Sequence, residues 1–180
     1  MIICKFALAW IGVFSLIAVT LVGCTRKTAP DDILHVDQHF SFPKEFHPDP
    51  GNAGKKTLEG IDSDHDGLRD DVQRWIYARY PNDEKKRKAL RQMALSYQDN
   101  LRPNLKDTDL KAILLGSDRA IVCLYQIFPS NVDSTSEREY VRAKVLNTHE
   151  RTEQFLRLDA RFDGKTLGPS YPDDGTACDQ

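Results

Sequence analysis

The stretch DTDLKAILLGSDRAIVCLYQIF, residues 107–128, decides the fold. Leu110, Ile113, Leu114, Ser117, Ile121, Leu124 and Phe128 recur at helical intervals, which places them on one face and makes this the most continuous apolar stripe in the chain. Asp107 stands where an N-cap belongs, and Pro129 closes the run. Moving toward the N-terminus, Leu90, Met93, Ala94, Tyr97 and Leu101 repeat the pattern before Pro103, and Val72, Trp75, Ile76 and Tyr80 repeat it before Pro81. On the other side, Ser134 and Glu137 have capping-box spacing and open a fourth helix through Val141, Val145, Thr148, Thr152, Phe155 and Phe162, ahead of Gly164. No stretch alternates as a strand does. The expectation is an all-α fold: a small antiparallel bundle of about four helices within residues 58–180, preceded by an extended N-terminal tether.

The only concentrated chemistry lies just before the first helix. Asp62, Asp64, Asp66, Asp70 and Asp71 put five carboxylates into ten residues, and they repel one another unless a cation or solvent intervenes. A hard cation such as calcium takes six to eight oxygens, supplied from loop positions 1, 3 and 5, with a glycine at position 6 for the sharp turn. Asp62, Asp64, Asp66 and Gly67 occupy those positions. On that register Leu68 offers its backbone carbonyl, Asp70 acts directly or through water, and Gln73 falls at position 12. A plainer reading is a solvated acidic turn in which Asp70 caps the following helix, Gln73 completes the box and Asp71 favours the helix N-terminal dipole. His65, between ligand positions, is expected to face solvent.

These residues resemble the calcium loops of EF-hands and, more closely, the Asp-x-Asp-x-Asp-Gly-x-x-Asp loops of thrombospondin type 3 repeats and bacterial surface proteins. Two departures stand out: Gln73 replaces the bidentate glutamate of an EF-hand, and the apolar Leu68 falls at position 7 instead of position 8. With one loop in the chain, the resemblance implies a structural calcium site of modest affinity rather than a cooperative sensor.

At the N-terminus, Lys5 precedes an apolar run from Phe6 to Val22, interrupted by Gly12, Ser15 and Thr20, which has the shape of a signal segment. Its end, Leu21-Val22-Gly23-Cys24, resembles a bacterial lipobox. That resemblance implies cleavage after Gly23, a diacylglycerol on the Cys24 thiol and an acyl chain, such as palmitate, on the new amino group. Three chains at about 0.8 kcal/mol per buried methylene anchor a protein effectively permanently. By the same resemblance, Thr25 rather than Asp after the cysteine implies sorting to the outer membrane, with the domain facing the periplasm. The alternative is an uncleaved span over residues 2–22. The organisation expected is therefore a lipoprotein signal peptide at 1–23, a tether at 24–57 and a helical domain at 58–180.

Removing the signal takes away one charged side chain, Lys5, and moves the net charge from −2 to −3. Nothing strongly basic remains to suggest nucleic acid. Lys85, Lys86, Arg87 and Lys88 form a local basic patch, read as a solvated face with anionic lipid as the alternative. With Cys4 in the signal and Cys24 lipidated, Cys123 and Cys178 are left as a pair, expected to be a disulfide in an oxidising compartment, with free thiols as the alternative. Pro30, Pro43, Pro48, Pro50, Gly51 and Gly54 mark the tether, although Phe40, Phe42 and Phe46 offer rings that can pack on the domain.

Enzyme signatures are sparse. His35 and His39 flank Asp37, with His47 following, but the glutamate of a His-Glu-x-x-His zinc site is missing and prolines follow. No Gly-x-Ser-x-Gly, Ser-x-x-Lys or phosphate-binding glycine loop occurs. His149 beside Glu150 is the best remaining acid/base pair, though adjacent helical residues point apart. Gly67 to Val72, taken with Asn147 to Arg151, resembles a group of uncharacterised proteobacterial envelope proteins that carry no activity to transfer. The expected function is a non-enzymatic envelope lipoprotein: membrane-held through Cys24, calcium-binding, and presenting its bundle to an envelope protein partner, one version being an inhibitor or immunity-type protein. The alternative is a calcium-dependent envelope hydrolase.

Overall fold

Five helices follow the acidic loop: α1 (Asp70–Arg79), α2 (Glu84–Asp99), α3 (Asp107–Ile127), α4 (Asn131–Val145) and α5 (His149–Asp159), with short 3₁₀ turns at Ala53–Lys55 and Ala160–Phe162. They are seen in a computed structural model that describes residues 46–128, 130–163 and 176–179. The fold is all-α, and no strand occurs among the described residues. Cys24, the lipobox, His35, His39, Phe40 and Phe42 lie outside the described residues. Within them, no helix is long and apolar enough to cross a membrane.

Helix α2 is the centre of the bundle, and α1, α3 and α4 pack against it. Its apolar positions Ala89, Leu90, Met93, Ala94 and Tyr97 are buried together with Val72 and Ile76 of α1, Ala120 and Leu124 of α3, and Val141 and Val145 of α4. Most positions of the stripes expected of the first three helices are buried, while Trp75, Tyr80 and Ile121 pack at the margin of this core and Leu114 and Ser117 are half-buried outside it. A second, smaller cluster joins the N-terminal half of α3 to α5 through Leu110, Ile113 and Leu158, with Leu105 and Phe162 packed on it. An ion pair also links α1 to α4: Arg79 bonds both carboxylate oxygens of the nearly buried Glu137, at 2.7 and 2.6 Å, while its guanidinium lies 4.5 Å from the Tyr140 ring. Burial and the neighbouring Glu137 push the Tyr80 hydroxyl up to about 12.

The expected fourth helix is two. Helix α4 starts four residues ahead of the Ser134-Glu137 box, where the Ser130 hydroxyl accepts from the Asp133 amide at 3.0 Å. Ser134 is buried in its first turn and donates back to the Ser130 carbonyl, and Glu137 is taken by Arg79. The chain then breaks at Leu146, and the Thr148 hydroxyl caps α5 by accepting from the Arg151 amide at 3.2 Å. The carbonyls of Lys144 and Val145, left over at the end of α4, accept from the guanidinium of Arg69 at 3.2 and 3.0 Å. Helix α3 is capped one residue earlier than expected, with Asp109 accepting from the Lys106 amide at 2.9 Å.

Cys123 of α3 and Cys178 form a disulfide with 4.8 Å between Cα atoms. The tail around it is held by protein contacts as well: buried Gln92 donates to the Ala177 carbonyl at 2.8 Å and accepts from the Asp179 amide at 3.0 Å, and Asp179 pairs with Arg119 at 2.6 Å. At the other end, residues at the close of the expected tether lie on the helices. Phe46 packs on Tyr77 with ring centroids 4.7 Å apart, and the His47 carbonyl accepts from Arg74 at 2.9 Å. Three of the four basic residues at the start of α2 are engaged locally. Lys86 pairs with Asp83, Lys88 pairs with Glu84, and Arg87 donates to the Tyr80 and Pro81 carbonyls.

Candidate metal centre

The loop from Asp62 to Asp70 curls because two of its residues take left-handed backbone angles, His65 at φ 57° and Gly67 at φ 88°. Gly67 adopts this conformation at no cost, whereas His65 does so against its preference. The curl turns successive aspartates inward. One carboxylate oxygen from each of Asp62, Asp64 and Asp70 lies within 4.8 Å of the others, so this cluster can hold a metal ion. Asp62 Oδ2 accepts from the Gly67 amide at 3.0 Å, while its Oδ1 is buried with no hydrogen-bond partner. A buried anionic oxygen without a donor is costly; a cation relieves it, as does a proton shared with the neighbouring Asp64. Burial, reinforced by the charges of Asp66 and Asp64 but opposed by the Gly67 amide, pushes the Asp62 carboxyl up, whereas the Gln73 amide holds Asp64 down.

The remaining expected ligands are placed differently. Asp66 is drawn out of the trio by Arg91, which pairs with its carboxylate at 3.1 Å and donates to its carbonyl at 2.6 Å. Its other oxygen accepts from the Leu68 amide at 2.8 Å. Gln73, from the first turn of α1, donates its amide to Asp64 at 3.2 Å and to Asp66 at 2.9 Å. Rotation of that amide by 180° presents an oxygen to the same place. Leu68 is buried in the core, which fixes the end of the loop to the bundle. Asp70 is also buried, but it does not cap α1: its two oxygens accept from the amide and hydroxyl of Ser63 at 2.9 and 2.6 Å and so tie the loop shut. Its own amide donates to the Ile61 carbonyl at 2.9 Å.

Residues outside the acidic motif do much of the positioning. Gln98 of α2 donates to the Gly67 carbonyl at 3.0 Å and accepts from the Arg69 amide at 3.1 Å, gripping both sides of Leu68. Arg69 and Arg151 are fully buried. Arg69 forks onto Asp71 at 2.9 and 3.3 Å, and Asp71 also accepts from Asn147 at 3.2 Å. Arg151 donates to the carbonyls of Gly54, Thr57 and Leu58 at 2.6, 2.9 and 3.0 Å and to the Asn147 side chain. The four residues Arg69, Asp71, Asn147 and Arg151 thus join the base of the acidic loop to the α4–α5 break. Burial and the nearby Arg69 push the Arg151 guanidinium down to about 10, which leaves it charged at neutral pH.

Gly60 lies against this pair. A Cβ there would stand 2.3 Å from Arg69 Cδ and 2.9 Å from Arg151 Nη2, and its φ is 74°. Gly60→Ala is therefore expected to cost about 3 kcal/mol, combining left-handed strain with displacement of a buried side chain. Urea denaturation followed by circular dichroism measures this, and a loss under about 1 kcal/mol would refute the close packing.

An open cleft of about 330 Å³ runs beside the loop, lined in part by Leu58, Glu59, Asp62, Leu95 and Asp99. His149 and Glu150 stand apart from it on the exposed first turn of α5. His149 lies 3.2 Å from Glu153, and the Glu150 carboxyl is held low by its own amide and the Thr148 hydroxyl. No family model matches this chain, and neither a curated protein nor a solved structure matches it.

Proposed function

We propose that this chain is a calcium-binding envelope lipoprotein, anchored through lipid on Cys24, whose helical domain acts as a non-enzymatic binding or structural module for an envelope protein partner. The observation that carries the calcium reading is the buried, donorless Asp62 Oδ1 beside Asp64 and Asp70. Calcium suits an all-oxygen set of this kind, with no sulfur or imidazole in the cluster. When bound, it supplies positive charge that offsets the repulsion among the aspartates. Asp62, Asp64 and Asp70 would hold it, with Asp66, the Leu68 carbonyl and Gln73 as the further donors the sequence register offers. The loop is continuous with α1 and clamped to α2 by Gln98 and Arg91, so occupancy would brace the α1–α2 side of the bundle.

The anchoring reading rests on Leu21-Val22-Gly23-Cys24, and the disulfide agrees with an oxidising compartment such as the periplasm. A domain so held is suited to meeting a protein at the membrane surface, including as an inhibitor or immunity-type protein.

Calorimetric titration of calcium into the purified chain tests the first half. A modest site with a Kd of about 0.1 mM should give saturable heat, and calcium at about a hundred times Kd should add about 2.7 kcal/mol of stability. For a domain of this size that is a rise in Tm of about 10 °C. Asp62→Ala should abolish both effects. The absence of heat and of any thermal shift in the unaltered protein would end the calcium reading. Radiolabelled palmitate tests the second half: incorporation lost in Cys24→Ser supports the anchor, and an unlabelled wild-type protein rejects it.

A further inference from the structure

Helix α3 carries a second stripe on the side away from the core. Lys111, Leu115, Asp118, Val122 and Tyr125 are spaced four, three, four and three residues apart, the repeat of a coiled-coil seam. Leu115 and Tyr125 are 45% and 43% exposed, large apolar side chains without cover, and Val122 between them is half-buried and packs in part against the main core. Asp118 interrupts the apolar positions. Its carboxyl is pushed up by burial alone, with no cation among the described residues facing it. Lys111 is exposed two turns away, about 10.5 Å along the axis, too far to close on Asp118 within its own helix.

We propose that this face of α3 is the seam of a two-fold dimer of the chain. An antiparallel α3 pair centred midway between Lys111 and Asp118, beside Leu115, brings the two Leu115 side chains together near the axis. It also sets Lys111 of each copy within one turn of Asp118 of the other. Because a two-fold axis repeats every contact, one such arrangement gives each Lys111 and each Asp118 an opposite charge, twice over. A parallel pair would instead stack Asp118 on Asp118. An unrelated partner would have to supply an anion opposite Lys111 and a cation opposite Asp118 at this spacing, whereas a second copy already carries both. The seam is a single helix pair, so the dimer is weak and reversible. Helix α3 contributes no residue to the acidic loop, so this association is independent of the calcium reading.

Sedimentation equilibrium of the full-length chain in density-matched detergent, up to about 100 μM, provides the test at concentrations suited to a small interface. The expected result is a monomer–dimer equilibrium that Asp118→Lys weakens at least tenfold and that the combined swap Lys111→Asp and Asp118→Lys restores. Carbodiimide coupling of mixed unlabelled and ¹⁵N-labelled chains should yield a Lys111–Asp118 link joining one light and one heavy peptide. Lys111 is exposed and Asp118 half-buried, so circular dichroism of each variant checks that the helical fold is kept. A monomer throughout, a dimer indifferent to Asp118→Lys, or the absence of the mixed-isotope link would each overturn the proposal.

Discussion

Replacing Arg151 by alanine is expected to remove about 4–5 kcal/mol of stability, the scale of breaking a buried charged group that makes four hydrogen bonds. The change leaves the carbonyls of Gly54, Thr57 and Leu58 and the Asn147 side chain without their donor. A buried acceptor left unpaired costs about 1–3 kcal/mol; of the four only the Gly54 carbonyl is fully buried, so water reaching the others keeps the total below the simple sum. Arg151→Lys separates charge from geometry. It keeps the positive charge but cannot fork toward the segment 54–58 and Asn147 at once, so it should recover less than half of the loss. Chemical denaturation with both variants measures the ratio. Full rescue by lysine would mean that charge alone holds the segment, contrary to the bonding seen here.

Reduction of the disulfide, or Cys123→Ser, is expected to cost about 4 kcal/mol in the chain-entropy account for a closure of 55 residues. The loss should appear mainly through the unfolded chain, leaving the helical spectrum in native buffer nearly intact. Paired denaturation curves with and without reductant give the answer. Coincident midpoints would show that Gln92 and Arg119 hold the tail without help from the covalent bond.

Much of the bundle was legible because its helices obey simple rules. Periodic apolar positions bounded by Pro81, Pro103 and Pro129 give α1, α2 and α3, and most of the same positions fill the two apolar clusters. The division of α4 from α5 was not legible, because its signals are small. Thr148 as a cap looks like any helical threonine, and the carbonyls released at Lys144 and Val145 find a donor in Arg69, some 75 residues earlier. Hydrophobic periodicity assigns arginine to the surface, so it misplaces both Arg69 and Arg151. The two arginines fall in the short segments Gly67 to Val72 and Asn147 to Arg151, which meet in the fold through Asp71 and Asn147.

The acidic loop divides the same way. Alternating aspartates and the glycine at position 67 point directly to Asp62 and Asp64, since loop chemistry is local. The fate of Asp66 is set by Arg91, which lies 25 residues away on another helix. Asp70 was read as a cap or as a ligand acting directly or through water; it stands in the carboxylate cluster, and its bonds to Ser63 also make it the latch of the loop. A serine between two aspartates carries no signal for that role.

The covalent bond between α3 and the tail also sets how far the molecule can lengthen under load. All of α4 and α5 lies inside the ring closed by Cys123 and Cys178. A pull applied at the two ends of the chain therefore bypasses those helices and is carried across the sulfur bridge. The hidden length is about 190 Å when extended. In an optical trap the oxidised protein should extend by about that much less than the reduced one, so redox state would act as a length stop.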